Sequence, residues 1–340
     1  MNLPGPDFPD YQPPRWLRQG HINTIYSYLR PRRLHPPEPE CCWLKVEDGV
    51  ELLLEVNWAG EAKAPALLLI HGLEGDSRVG YMQSLAAKAH GRGWHAVRMN
   101  VRGCGASELR CQTLYNSGLS QDLLRALEWT AAQPRVHEVF LAGYSMGGNT
   151  VLKLLGELGA AAPPSLAAAG VVSACLDLAP SADALHQPAN RLYEWRFLRR
   201  LRRKARARAA RHPALYRMPR LDEIRSIRDF DDRVTAPHMG YRDAVDYYER
   251  ASATRVLERI RVPTLILHAE DDPFIIVTGE SRRRIAANPA LRWLAPRHGG
   301  HCGFMQPAND REDAYWAENR LLDFFENQRT ALPQSQSRQD

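Results

Sequence analysis

No apolar run in this 340-residue chain approaches the roughly 18–20 residues that a bilayer-spanning helix needs. The opening residues, Met-Asn-Leu-Pro-Gly-Pro-Asp-Phe-Pro-Asp, also lack the charged-then-apolar layout of a signal peptide. Together these absences point to a cytoplasmic protein. Cysteine is scarce: Cys41, Cys42, Cys104, Cys111, Cys175 and Cys302 form no C-x-x-C pair and show no zinc-like spacing. They read as reduced thiols, and neither a metal site nor an organic cofactor is expected. A large charge excess is missing too, for the net charge is +6 and the basic residues are clumped. The densest cluster, Phe197 to Arg208, lacks interleaved aromatics and is accompanied by no nucleic-acid-binding motif, so nucleic acid is not expected as a partner. Such a run is usually a solvated helix face, but it could also draw the protein to anionic membrane surfaces.

What is present is enough apolar residue, 44%, for a sizeable core in one large α/β domain or two smaller ones. Residues 1–45 are rich in proline and polar groups and read as an arm along the surface, with a short helix near Trp16–Ile25. Residues 46–179 hold short apolar runs alternating with helical patterns: an edge strand at Glu51–Trp58, buried strands at Ala66–Ile70, at His95–Val101 and in the stretch Val136–Ser145, and another within Leu166–Leu178. Helices are expected at Met82–His90 and Gln121–Ala132. Apolar strands vanish across 180–255, which reads as a helical lid inserted between core strands. The core resumes over 256–327 with strands at Leu265–His268 and Leu291–Pro296 and a closing helix at Asp313–Phe325; residues 328–340 read as a disordered tail.

The chemistry centres on Gly143-Tyr144-Ser145-Met146-Gly147, a G-x-S-x-G turn between an apolar strand and a helical pattern. Such a turn holds its serine in strained geometry, and side chains at the flanking glycine positions would collide with the neighbouring strand and helix. Ala66–Ile70 runs into His71-Gly72-Leu73-Glu74-Gly75, where a hydrolase of this architecture draws one oxyanion donor. The backbone N–H groups of Leu73 and Met146 are the expected pair. An acid is expected on the loop after Leu265–His268. Asp271 and Asp272 compete there, and the distance from the strand end favours Asp272. A base is expected after the last strand, in Arg297-His298-Gly299-Gly300-His301. Gly-Gly-His puts His301 on a backbone able to bend back over the serine, leaving His298 incidental. Arg102 is expected in a structural salt bridge and His21 in a structural hydrogen bond. The chain order Ser145, Asp272, His301 is that of α/β-hydrolases and differs from those of chymotrypsin and subtilisin.

These motifs resemble those of the AB-hydrolase-4 family, the bacterial YheT-like hydrolases and their eukaryotic relatives. The likeness spans roughly residues 14–327. It includes Trp16 with Gly20-His21 and Thr24-Ile25, Asn100-Val101-Arg102-Gly103-Cys104, Tyr115-Asn116-Ser117-Gly118, Gly143–Asn149, Phe230-Asp231-Asp232, Asp246-Tyr247-Tyr248, Asp271–Phe274 and Gly299–Phe304. Asn116 and Asn23 depart from the family's usual histidine and glutamine. The resemblance implies an α/β-hydrolase fold, a mostly parallel sheet with flanking helices and a helical lid, and a triad on Ser145, Asp272 and His301. It further implies hydrolysis of short- to medium-chain acyl esters or monoacylglycerols through an acyl-enzyme. Two rivals stand beside it: an alcohol O-acyltransferase using the same triad, and a catalytically idle hydrolase fold that binds or scaffolds.

Overall fold

The computed structural model describes residues 8–331. Eight strands form one sheet: β1 Glu40–Glu47, β2 Val50–Asn57, β3 Ala64–Ile70, β4 His95–Met99, β5 Val136–Tyr144, β6 Leu166–Val172, β7 Thr264–Leu267 and β8 Leu291–Leu294. Their order is β1-β2-β4-β3-β5-β6-β7-β8, with β1–β2 and β2–β4 antiparallel and every other pairing parallel. The helices are α1 Gly20–Leu29, α2 Gly80–Gly91, α3 Ser120–Ala131, α4 Met146–Leu158, α5 Leu178–Leu185, α6 Arg191–Arg211, the short α7 Ile227–Phe230 and α8 Ala236–His238, then α9 Ala244–Ala251, α10 Gly279–Ala287 and α11 Trp316–Ala331.

The unbroken apolar runs of β3 and β5 follow from burial on both faces of the sheet. Successive side chains on a strand point to opposite faces. Ala66, Leu68, Ile70, Val139 and Leu141 therefore join one core with Leu123 and Leu127 of α3 and Val151 and Leu155 of α4. Leu67, Leu69, Phe140 and Ala142 join the other, with Leu85 of α2 and Leu321 and Phe325 of α11. The segment between β6 and β7 has its own core, including Leu185, Leu198, Ile227, Phe230 and Tyr247, which rests on Leu114, Cys175 and Phe274.

Several boundaries differ from the sequence reading by a residue or two, and three departures are larger. The strand expected at the sheet edge, β2, is interior. The edge is β1, which starts at Glu40, inside the stretch assigned to the arm, and its alternating half-exposed burial is that of a one-sided strand. The strand expected within Leu166–Leu178 stops at Val172, because Ser173 turns to φ +48°. The closing helix runs on to Ala331, so residues 328–331 of the expected tail are helical, while 332–340 lie outside the described residues. No helix among the described residues is long and apolar enough to cross a membrane.

Candidate active site

Ser145 caps the N-terminus of α4 with φ +54° and ψ −118°, a conformation that is strained for any L-residue. The flanking glycines are sterically forced. A Cβ on Gly147 would lie 2.5 Å from the carbonyl oxygen of His71, and one on Gly143 would lie 2.6 Å from that of Gly147. Hydrogen bonds fix the turn on both sides, from Ser145 N to Val172 O (2.9 Å) and from Cys175 N to Ser145 O (3.2 Å). Buried Asn149, one turn into α4, accepts from Ala253 N (2.8 Å) and donates to Ala251 O (2.9 Å), tying the helix to the chain that returns from the insertion.

The His71-Gly72 turn closes against this elbow, since a Cβ on Gly72 would stand 3.0 Å from Ser145 Cβ. His71 fastens it. Its Nε2 accepts from Val101 N (3.1 Å), which requires the neutral ring, and its Nδ1 donates to Gly72 O (2.8 Å). Burial pushes its pKa down to about 4 and so keeps it neutral. Leu73, from this turn, and Met146 both line the cavity that Ser145 borders. The Met146 N–H belongs to the first turn of α4, whose donors have no partner within the helix.

Asp272 and His301 are brought together. The Asp272 carboxylate is buried; its Oδ2 lies 2.9 Å from His301 Nδ1, while its Oδ1 accepts from Phe274 N (3.2 Å) and Ile275 N (3.0 Å). Burial opposes ionisation of this acid, but the imidazole outweighs it and the pKa falls below the ordinary value. Burial likewise disfavours a charged His301, yet the adjacent Cys302 sulfur and the Asp272 carboxylate win, so its pKa rises. Asp271 takes a different role, accepting from Gly300 N (2.8 Å) and facing His298 Nδ1 at 3.4 Å.

The loops that carry Ser145 and His301 converge on one strand end. Val172 O accepts both from Ser145 N and, at 3.8 Å, from Cys302 Sγ, while Cys302 N donates to Ser173 Oγ (3.0 Å). The Phe274 ring, 4.4 Å from the His301 ring, lines the cavity together with Ser145. The arm adds contacts the sequence reading had not assigned. Thr24 Oγ1 of α1 accepts from His301 N (2.8 Å), and Gly20 packs so closely that a Cβ there would lie 1.9 Å from Asp271 O. His21 pairs with Tyr193, its ring stacked on the tyrosine and Nδ1 3.2 Å from the hydroxyl. Arg102 forms the expected salt bridge, bidentate to Asp122 at 2.6 and 2.7 Å.

A family model for the α/β-hydrolase fold matches residues 65–308. This chain belongs to the α/β-hydrolases. Within that family it is YheT-like: it is 33% identical over 324 residues to YheT of Escherichia coli, with 93% of each chain covered. It is also 26% identical over 312 residues to the medium-chain fatty acid ethyl ester synthase/esterase 2 of Saccharomyces cerevisiae, covering 85% of this chain and 66% of that one. Among solved structures, the hydrolase fold of the Pyrococcus furiosus esterase Pf2001 matches with a TM-score of 0.55 at 13% identity, covering 88% of this chain and 99% of that one.

The cavity over this hydrolase's elbow is partly open to solvent and has a volume of about 100 Å³ for water-sized groups. Its wall is mostly apolar, with Leu178, Leu185, Phe197 and Phe230 from the insertion and Leu73 and Met146 from below. At its polar margin a π-helical turn, Asp231–Thr235, presents Asp231, which accepts from Tyr248 OH (2.8 Å) and Thr235 Oγ1 (2.7 Å). Burial raises the Asp231 pKa to about 6. In the sequence, 230–232 and 246–248 stand out only as parts of a family pattern; their convergence on one wall depends on the path of the insertion.

Proposed function

We propose that this α/β-hydrolase is a serine-dependent carboxylic ester hydrolase acting on short- to medium-chain acyl esters or monoacylglycerols. The observation that carries the reading is the Asp272–His301 pair, 2.9 Å apart on loops that converge with the strained Ser145 turn at the end of β6. In this reading His301 removes the Ser145 proton as the hydroxyl oxygen attacks the ester carbonyl, and Asp272 orients the ring and supports the imidazolium. The N–H groups of Leu73 and Met146 receive the developing alkoxide, each such donor being worth about 3–4 kcal/mol. His301 then protonates the leaving alcohol, and water attacks the acyl-enzyme. The apolar wall of the cavity suits an acyl chain, and the helical insertion that supplies it serves as the lid. The basic face of α6 is assigned a peripheral contact with anionic membranes.

Ser145→Ala tests this directly. Hydrolysis of p-nitrophenyl butyrate should fall by about 10⁴–10⁶ in kcat, the loss typical of a triad serine. Activity within about tenfold of wild type would remove the serine from the mechanism. A second reading keeps the acyl-enzyme and passes the acyl group to an alcohol instead of water. The synthase/esterase name of the yeast relative favours keeping it, and the ratio of ester to acid formed in mixed water and ethanol separates the two.

A further inference from the structure

Three side chains with a formal charge line the cavity: Lys204, Arg208 and Asp231. Two are answered by neighbours. Lys204 Nζ lies 3.1 Å from Glu74 Oε1, whose carboxylate also accepts from Tyr115 OH (2.6 Å), and Asp231 is held by Tyr248 and Thr235. Arg208 is not answered. It is only 2% exposed, its Nη1 donates to the carbonyls of Cys111 and Thr113, and its Nε has no hydrogen-bond partner. No carboxylate forms an ion pair with it among the described residues. A guanidinium stays protonated inside a protein, so this is a buried positive charge whose direct hydrogen-bond partners are two carbonyls. Gly103, another wall residue with φ +68°, makes room for the guanidinium itself, since a Cβ there would come within 2.7 Å of Arg208 Nη2.

The placement follows from helix periodicity. Phe197, Leu201, Lys204 and Arg208 follow one another at four-, three- and four-residue steps along α6, so one stripe turns all of them to the cavity. A cation that continues an apolar stripe inward is costly unless an anion meets it.

We infer that Arg208 forms an anion subsite in this cavity, and that the preferred esters carry an oxyanion group, a carboxylate or a phosphate, which docks there during turnover. The guanidinium suits either, since both present oxygens to its planar fork. The inference rests on the serine-esterase reading for the chemistry, but binding can be measured apart from it.

The test compares two matched pairs of esters. One is mono-p-nitrophenyl glutarate against p-nitrophenyl pentanoate; the other is 1-pentanoylglycerol 3-phosphate against 1-pentanoylglycerol. Wild type should favour the anionic member by at least about tenfold in kcat/KM in one pair, the yield of one charge-assisted hydrogen bond, and the pair that responds identifies the source of the anion. In Arg208→Gln that preference should fall to about one, with Arg208→Lys retaining part of it. Calorimetry on Ser145→Ala should show the same contrast in affinity without turnover. Absence of the contrast in wild type and Ser145→Ala overturns the inference even where Arg208→Gln fails to fold, and in that case the partial loss in Arg208→Lys assigns the preference to Arg208. No preference in either pair, or one that survives Arg208→Gln, would overturn the inference and leave Arg208 as a tie between α6 and residues 111–113. Should Ser145→Ala still turn over esters, the serine reading fails, while the binding contrast continues to judge the anion subsite.

Discussion

Asp272 and Asp271 are adjacent carboxylates with opposite fates, and the difference lies in what each side chain meets. Asp272 is buried against the ring of His301 and held below its ordinary pKa; Asp271 is spent on the backbone of Gly300 and, through burial, lies above its own. Asp272→Asn should therefore lower kcat by about 10⁴ with the fold intact, whereas Asp271→Asn should leave the pH profile in place. That profile carries a sign. The base works as the neutral ring, and the His301 pKa lies above the ordinary 6.5, so kcat/KM should climb with pH through a midpoint on the alkaline side of 6.5. Cys302→Ala removes one of the two groups that raise it, and the midpoint should move back toward 6.5 in a pH–rate series. Asp231 gives a second pH signature, in stability. Its folded pKa of about 6 exceeds the ordinary 3.8, so the folded state binds more protons between these values and loses stability as pH rises through that window. Asp231→Asn should raise the unfolding free energy at pH 7 by about 1–3 kcal/mol and bring no increase at pH 4, as urea titrations would read. Chemical identity made some of these residues legible in the chain: a serine between two glycines, an acid and a histidine each following a strand. Lys204 and Arg208 were hidden in a basic run because charge alone does not say which side of a helix faces inward, although the spacing from Phe197 and Leu201 held that information.

The strand–turn–helix unit β5–Ser145–α4 combines a positive-φ serine with sterically forced glycines. Gly147 sits where a methyl group would meet two backbone carbonyls, Ile70 O at 2.6 Å and His71 O at 2.5 Å, and backbone of a central strand cannot step aside as a side chain can. Gly147→Ala should destabilise the protein by at least about 2 kcal/mol, seen as a lower urea midpoint at unchanged slope. It should also depress activity beyond the loss of folded protein, because the turn that presents Ser145 shifts with it. Central parallel strands were the most readable elements, since burial on both faces leaves an uninterrupted apolar run such as Ala66–Ile70. β1 escaped notice for the converse reason: packed on one face only, Glu40–Glu47 mixes cysteine, lysine and glutamate and has no such run. The role of α1 was unreadable for a longer-range reason. Thr24 meets the backbone of a residue 277 positions away, a pairing with no local signal.

At the scale of the whole molecule, the arm and the insertion meet on the outside as they do around the site. Arg196 of α6 lies over the ring of Tyr28 of α1 at 4.3 Å, and the His21 and Tyr193 rings stack nearby. Around this seam α1 exposes Ile22, Ile25, Tyr28 and Leu29, and α6 exposes Leu192 and Trp195, the last 57% accessible. Arg199 lies 5.6 Å from the Trp195 ring, so apolar and cationic groups share the surface, as they do on helices that rest in a bilayer interface. Not all of the basic run is free for such a role. Lys204 and Arg208 turn inward, Arg206 pairs with Asp222, and Arg202 donates to Ile224 O. The proposed membrane contact therefore rests on the first half of α6 together with α1, and not on the densest stretch of charge. Wild-type protein should co-sediment with vesicles containing phosphatidylglycerol more strongly than with pure phosphatidylcholine, and salt should weaken that binding, because a surface lysine or arginine contributes about 1 kcal/mol only within a Debye length. Replacing Leu192 and Trp195 together by alanine should cut binding at least about tenfold through lost apolar area, while Arg203→Gln, further along the helix, should weaken it only a few-fold. Equal binding to both vesicle types, or no effect of the double alanine change, would dismiss the membrane contact and leave this seam as the joint that holds the arm to the insertion.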